Sequence, residues 1–246
     1  MNSRNWRLVG HRGYPVKYPE NTVPGFVAAV QVGVDAVELD VQISRDGVPI
    51  VIHDITLERT TTEDGSLLER DYPALNTISA HYPDKFGREF EPLSLLSLEA
   101  VCQTLQTLNT EVFIEIKKES IPHMGREEFL RRVLDASQAL GSRRWLISFD
   151  FEILEMAKSN TNLRVGWCLD TYTQQEEHLA EQLSPHALIA EPALIGGQML
   201  WSGPWEWFIY DINSREEAEF WAEKGATWIE ANDPALLLQI DSGGEP

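Results

Sequence analysis

The sequence predicts an α/β protein, a (β/α)8 TIM barrel with a small insertion after barrel strand two. Three observations support this. Apolar runs of strand length recur along the whole chain, several without clean alternation, as expected for strands buried on both faces. Helical patterns separate most of them, and such alternation means βα units around a parallel sheet. Two of the runs lie too close together for a crossover, which leaves eight parallel strands, the number that closes a barrel. A chain of 246 residues accommodates one such barrel and is read as a single domain over residues 1–246.

In chain order, the runs are RLVGH, DAVELDVQI, VPIVIHD, EVFIEIK, RWLISFD, RVGWCLD, HALIAEP, WFIYDI and ATWIEAN. Between them, Phe26, Ala29, Val30 and Gly33 share a helical face, as do Leu98, Val101, Leu105 and Leu108, and then Phe129, Val133, Ala136 and Leu140. The second and third runs are separated by Ser44 to Gly47, far too short for a crossover, so VPIVIHD must return antiparallel. Asp46-Gly47 is a favoured two-residue hairpin loop. With that loop Arg45 pairs with Val48, Val41 with Ile52 and Asp40 with His53, and Glu38 lies one pleat away. Residues 55–92 have no strong period and many turn formers, and are read as the inserted cap segment. The tail DSGGEP is expected to fray.

In a barrel, the C-terminal strand ends are where an active site is built. Strand one ends in His11 and Arg12, flanked by Gly10 and Gly13, which suggests a close approach of ligand to backbone. Strand two carries Glu38 and Asp40, and the third parallel strand carries Glu115 and Lys117 on one face. Later strands end in Phe149 and Asp150, Trp167 and Asp170, Glu191, Tyr210 and Asp211, and Glu230 and Asn232. Glu38, Asp40 and Glu115 on adjacent strands would repel one another if bare. A hard divalent cation with oxygen ligands, Mg²⁺ or Ca²⁺ rather than Zn²⁺, resolves that repulsion. Two histidines beside such a cation suit general acid–base displacement at phosphorus. Arg12 and Lys117 add positive charge for a phosphoryl oxygen.

Composition narrows the partners. Net charge is 20 − 39 = −19, which disfavours nucleic acid and anionic membranes. The two cysteines, Cys102 and Cys168, have no metal-like spacing and are expected to be reduced and semi-buried. No apolar run approaches membrane length and MNSRNWRLVG lacks a secretion-signal core, so a cytoplasmic protein without a stable membrane anchor is expected. Trp201, Trp205 and Trp207 are expected to pack beneath a loop.

The stretches HRGYPVKYPENTVPGF, GVDAVELDVQISRDGVPIVIHDITLERTT, FIEIK, SFD and ANDP occur in an order and spacing that resembles the glycerophosphodiester phosphodiesterases, a family related to the phosphatidylinositol phospholipase C-like phosphodiesterases. The resemblance covers essentially the whole chain. It implies metal ligands at Glu38, Asp40 and Glu115 and an acid–base pair at His11 and His53. It also implies hydrolysis of glycerophosphodiesters to sn-glycerol 3-phosphate and an alcohol; by similarity to the related barrel phospholipases, the neighbouring glycerol hydroxyl attacks phosphorus first, expelling the alcohol and leaving a cyclic phosphate that water opens. Glu20 of ENT resembles the family's acidic residue near the site, in a supporting or substrate-hydroxyl role, while Asn21 and Thr22 are read as helix caps. Phe149 and Tyr210 are expected substrate contacts. YDIN and EAND depart from the family's commoner WTVN and TD. Two other readings are a lysophospholipase D, which needs an apolar groove, and a non-catalytic phosphodiester-binding barrel, which loss of a histidine or carboxylate would favour.

Overall fold

The computed structural model describes residues 4–239, so the tail DSGGEP lies outside the described residues. The chain runs β1 (Arg7–Gly10), α1 (Val23–Val32), β2 (Ala36–Ile43) and β3 (Pro49–Val51), then through two short helices, α2 (Tyr72–Leu75) and α3 (Pro83–Phe86), to α4 (Leu98–Leu105) and β4 (Glu111–Ile116). There follow α5 (Ile121–Met124), α6 (Arg126–Ala136), β5 (Arg144–Ser148), α7 (Phe151–Asn160), β6 (Arg164–Cys168) and α8 (Gln174–Leu183). The chain continues with β7 (Ala187–Ala190), α9 (Pro192–Ile195), β8 (Glu206–Ile209), α10 (Arg215–Glu223), β9 (Ala226–Ala231) and α11 (Pro234–Leu238).

The strand order β1-β9-β8-β7-β6-β5-β4-β2 closes through a β1–β2 pairing, giving a parallel barrel of eight strands. β3 adds antiparallel to β2. It has room because β1 stops at Gly10, opposite Val37, and leaves the far half of β2 without a neighbour on that side. Outward-facing apolar residues such as Leu8, Leu39, Val41, Ile114, Leu146, Val165, Leu188 and Ile229 pack against the helices. Inward, Phe113 stacks between Trp145 and Phe208 at centroid distances of 4.9 and 5.1 Å, with Trp228 edge-on to Phe113 at 5.0 Å. Both indole N–H groups are satisfied, Trp145 by Glu111 and Trp228 by Glu206. The Arg164 and Arg7 guanidinium groups lie over Trp145 and Trp228. This aromatic plug fills the N-terminal half of the barrel, and truncating Trp228 to Ala should cost about 3–5 kcal/mol.

The hairpin differs from the expected register by one residue. Val41 pairs with Val51, Gln42 with Ile50 and Ile43 with Pro49. The Ile52 N–H donates to Asp40 O at 3.1 Å, so Ile52, not His53, stands opposite Asp40. The cause is a three-residue loop, Arg45 to Gly47, in place of two. The Ser44 and Gly47 N–H groups donate to Val48 O and Ser44 O, and Gly47 takes a left-handed φ of 82°. The Ser44 hydroxyl fixes the loop, donating to Asp46 Oδ1 at 2.6 Å and accepting from Val48 N–H at 2.8 Å. Nor does a solvated face hold the two-residue register, because every residue of β2 is buried. Val41, Ile43 and Val51 face the helices, whereas Ile50 and Ile52 join a separate small core with Leu57, Leu67, Leu75, Ile78 and Leu95. The segment between β3 and α4 is therefore folded around the back of the hairpin. Bridges Thr56–Ser66 and Ser79–Ser94 hold it together.

Gly10 and Gly13 make room for the protein's own backbone. A Cβ on Gly10 would lie 2.4 Å from Gly13 O, and one on Gly13, whose φ is 89°, would lie 2.7 Å from the Gly25 backbone in α1. Trp201 stacks on Tyr172 at 4.1 Å and packs edge-on against Trp207, and Trp205 and Trp207 are buried in the same outer core. Cys102 and Cys168 are free and buried.

Candidate active site

A cavity of about 160 Å³ opens at the C-terminal end of the strands. His11, Arg12, Glu38, His53, Glu115, Lys117, Phe149, Tyr210, Asp211 and Glu230 line its walls, and Ile147, Cys168, Ile189 and Phe208 form an apolar floor above the plug. A larger open depression of about 950 Å³ lies at the other end of the barrel. Its arginines are engaged there: Arg143 and Arg144 donate to main-chain carbonyls, and Arg164 pairs with Glu111. The titratable cluster therefore marks the smaller cavity as the chemical site.

The period of two along β2 turns Glu38 and Asp40 inward, and the pairing of Asp40 with Glu115 sets the third carboxylate beside them. One oxygen from each of Glu38, Asp40 and Glu115 lies within 4.8 Å of the others. Lys117 Nζ stands 2.8 Å from Glu115 Oε1 and 3.4 Å from Asp40 Oδ1, and Arg12 Nε stands 3.0 Å from Asp40 Oδ2. The Arg12 backbone N–H donates to Glu38 Oε2 at 3.0 Å, while Glu38 Oε1 is buried with no hydrogen-bond partner.

Electrostatics separates the three. Burial pushes the Glu38 carboxyl well above the usual carboxylate range, and Asp40, Glu230 and Glu115 add repulsion. Glu115 is pushed up to about 7, first by burial and then by Asp40, against the pull of Lys117. For Asp40, burial acts upward but Arg12, Lys117 and His53 outweigh it, and the group is held below the usual range. An all-oxygen cluster with one orphaned buried oxygen and carboxyls forced upward by their own crowding fits a hard divalent cation.

The histidines stand on different supports. His11 Nδ1 faces Asn232 Oδ1 at 2.9 Å, which places the proton on Nδ1 and leaves Nε2 as an acceptor. Burial, and then the charge of Arg12, lowers the pKa of His11 and favours the neutral ring. His53 Nδ1 lies 2.6 Å from Asp54 Oδ1. Asp54 Oδ2 in turn accepts from Arg59 Nε at 2.5 Å, and Arg59 spreads its other two nitrogens over Glu20 at 2.8 Å each. Glu20 also accepts from Arg12 at 2.9 Å. Hydrogen bonds and ion pairs thus run unbroken from His53 through Asp54, Arg59, Glu20 and Arg12 to Asp40.

Of the residues expected at the site, His11, Arg12, Glu38, His53, Glu115, Lys117, Phe149 and Tyr210 all line the cavity. Asp40 lies directly behind its wall. Glu20 does not reach the cavity, because both its oxygens are held by Arg12 and Arg59. Arg12 does line the cavity, with its guanidinium turned toward Asp40 and Glu20. Thr22 caps α1 as expected, accepting from Gly25 N–H. Asn21 does not cap. It takes a left-handed φ of 58° and holds Asp40 at two points. Asp54 and Arg59 were missed as supporting residues, although the HDITLER stretch displays both beside His53.

Comparison with known proteins agrees with the geometry. Residues 11–202 match the model of the glycerophosphoryl diester phosphodiesterase family. A glycerophosphodiester phosphodiesterase of Caldanaerobacter subterraneus is 26% identical over 244 residues, which covers 95% of this chain and 96% of that one. Among solved structures, an Oleispira antarctica phosphodiesterase in complex with the product sn-glycerol-3-phosphate superposes with a TM-score of 0.83 at 22% identity, covering 96% of this chain and 97% of that one. A glycerophosphodiester phosphodiesterase from Agrobacterium tumefaciens gives 0.78 at 24% identity, covering 96% of this chain and 100% of that one.

Proposed function

The chain belongs to the glycerophosphoryl diester phosphodiesterase family and is a phosphoric diester hydrolase, and on that premise we propose that it cleaves small glycerophosphodiesters, such as glycerophosphocholine and glycerophosphoethanolamine, to sn-glycerol 3-phosphate and an alcohol. The observation that carries this reading is a single small cavity in which two histidines on independent supports share the walls with a carboxylate cluster.

In this proposal Glu38, Asp40 and Glu115 hold one divalent cation, Mg²⁺ or Ca²⁺. When bound, the ion supplies positive charge against the phosphoryl oxygens and the developing negative charge. Lys117 adds a further cation for a phosphoryl oxygen, and Arg12 fixes Asp40 and Glu38 in place. Phe149 and Tyr210 form the aromatic part of the substrate wall.

His11, neutral with Nε2 free, takes the proton of the glycerol hydroxyl next to the phosphoester as that oxygen attacks phosphorus. His53, with Nδ1 held by Asp54, gives the Nε2 proton to the departing alcohol oxygen. The P–O bond to the alcohol breaks and a cyclic phosphate remains. Water then opens the ring with the roles reversed: His53 takes the water proton and His11 returns a proton to the glycerol oxygen. Each histidine ends as it began.

Among the described residues no helix is long and apolar enough to cross a membrane. The proposal places the enzyme in the cytoplasm, acting on water-soluble substrates. The test is an activity panel of glycerophosphodiesters and lysophospholipids with each metal. Release of sn-glycerol 3-phosphate from the former is expected, and faster turnover of lysophospholipids would replace this reading with a lysophospholipase D.

A further inference from the structure

Glu230 is the buried carboxyl that the mechanism leaves unused. On β9 it pairs with Val9 of β1, and the period of two sets it between Trp228 of the plug and Asn232, the partner of His11. Its side chain therefore points into the barrel and lines the cavity. It is only 3% exposed, yet Oε1 has no hydrogen-bond partner, and the carboxyl enters no hydrogen bond or ion pair among the described residues. The cation that acts on it, Arg12, is already engaged by Asp40 and Glu20. A buried polar group without a partner is costly, and one kept at a cavity wall calls for a ligand that completes it.

The cavity's shape selects that ligand. The floor is closed and apolar, and the volume of about 160 Å³ suits a three-carbon unit. The alcohol of a glycerophosphodiester varies in size and must lie toward the open mouth, so the constant glycerol unit enters the closed part. One glycerol hydroxyl reacts. The terminal one remains and needs an acceptor.

We propose that the Glu230 carboxyl accepts the hydrogen bond of the terminal glycerol hydroxyl, and so selects free glycerol units over units whose terminal oxygen carries an acyl chain. This deepens the function proposed above and rests on that reading. An acyl ester has no proton to donate, leaves Glu230 orphaned and adds a chain that the floor does not admit.

The test compares binding of sn-glycerol 3-phosphate with propane-1,2-diol 1-phosphate, which lacks only that hydroxyl, by calorimetry with Mg²⁺ present. Wild type should prefer the glycerol compound by about 5- to 100-fold, the range for leaving a buried acceptor unsatisfied. E230L should bind both at the weaker level, and E230Q, which keeps an acceptor, should retain part of the preference. Equal affinity of wild type for the two ligands overturns the proposal, as does equal weakening of both in E230L. A loss of Mg²⁺ affinity in E230L as large as that in E38Q also overturns it, by making Glu230 a metal ligand. Should E230L not fold, wild-type behaviour of E230Q toward both ligands would do the same. The parent reading is judged separately, by hydrolysis: no turnover of any glycerophosphodiester refutes it, whereas the ligand preference still decides the role of Glu230.

Discussion

Asn21 and Asp40 are joined by two hydrogen bonds. The Asn21 amide donates to Asp40 Oδ2 at 2.8 Å, and its oxygen accepts the Asp40 backbone N–H at 3.1 Å. A side chain on the first βα loop thereby fixes both the carboxylate and the strand that carries it. Removing such support from a metal ligand typically costs 10–100-fold in affinity or activity. Asn21→Ala should therefore lower metal affinity and turnover by about that factor, with an unchanged circular dichroism spectrum. Metal titration of the variant checks it, and wild-type affinity would return Asn21 to a structural role.

Removal of the cation should stop the reaction. EDTA treatment is expected to abolish hydrolysis, and Mg²⁺ or Ca²⁺ to restore it. Because the ligand-free cluster crowds Glu38, Glu115 and Asp40 together, metal should also raise the melting temperature, an effect that grows with ligand concentration over Kd. Full activity in excess EDTA would remove the carboxylates from the mechanism.

The histidines should separate by leaving group. His11→Ala and His53→Ala should each lose roughly 10²–10⁴-fold on glycerophosphocholine. With a p-nitrophenyl ester, whose alcohol departs without a proton, the His53 variant should recover most of its loss of cyclisation rate and the His11 variant should not. Recovery in the opposite variant would exchange their roles.

Acid should weaken one interhelical tie in a defined window. Asp150 caps α7 and receives two nitrogens of Arg126 in α6 at 2.8 Å each. Burial pushes its pKa upward, but Arg126 and the Ile153 N–H pull it below the ordinary value. A depressed folded pKa contributes stability above the unfolded value of about 3.9, which is lost as pH falls through the folded one. The melting-temperature gap between wild type and Asp150→Asn should be level from about pH 5 to 8 and close below about pH 4. A gap independent of pH would mean that the Arg126 pair contributes nothing electrostatic.

The barrel was legible because its strands are short apolar runs punctuated by helical periods, and the cluster because period two carries Glu38 with Asp40 and Glu115 with Lys117. What stayed hidden depends on side chains that travel. Arg59 lies in a turn-rich stretch, but its long side chain reaches Glu20. Asn21 looked like a cap because capping chemistry and bracing chemistry use the same amide. The hairpin slipped by one residue because the Ser44 hydroxyl stabilises a longer loop than Asp46-Gly47 alone implies. Gly10 and Gly13 signalled close approach correctly, but the approaching group is the protein's own backbone.

The aromatic plug has a kinetic consequence. With Phe113, Trp145, Phe208 and Trp228 filling the barrel below the cavity, the chamber has one door. On the route proposed above, the alcohol would sit nearer the mouth and depart before water reached the cyclic phosphate, and sn-glycerol 3-phosphate, held deeper, would leave last. Such an order predicts that accumulated sn-glycerol 3-phosphate inhibits competitively while the free alcohol inhibits in another pattern. Competitive inhibition by both products alike would mean that they leave at random.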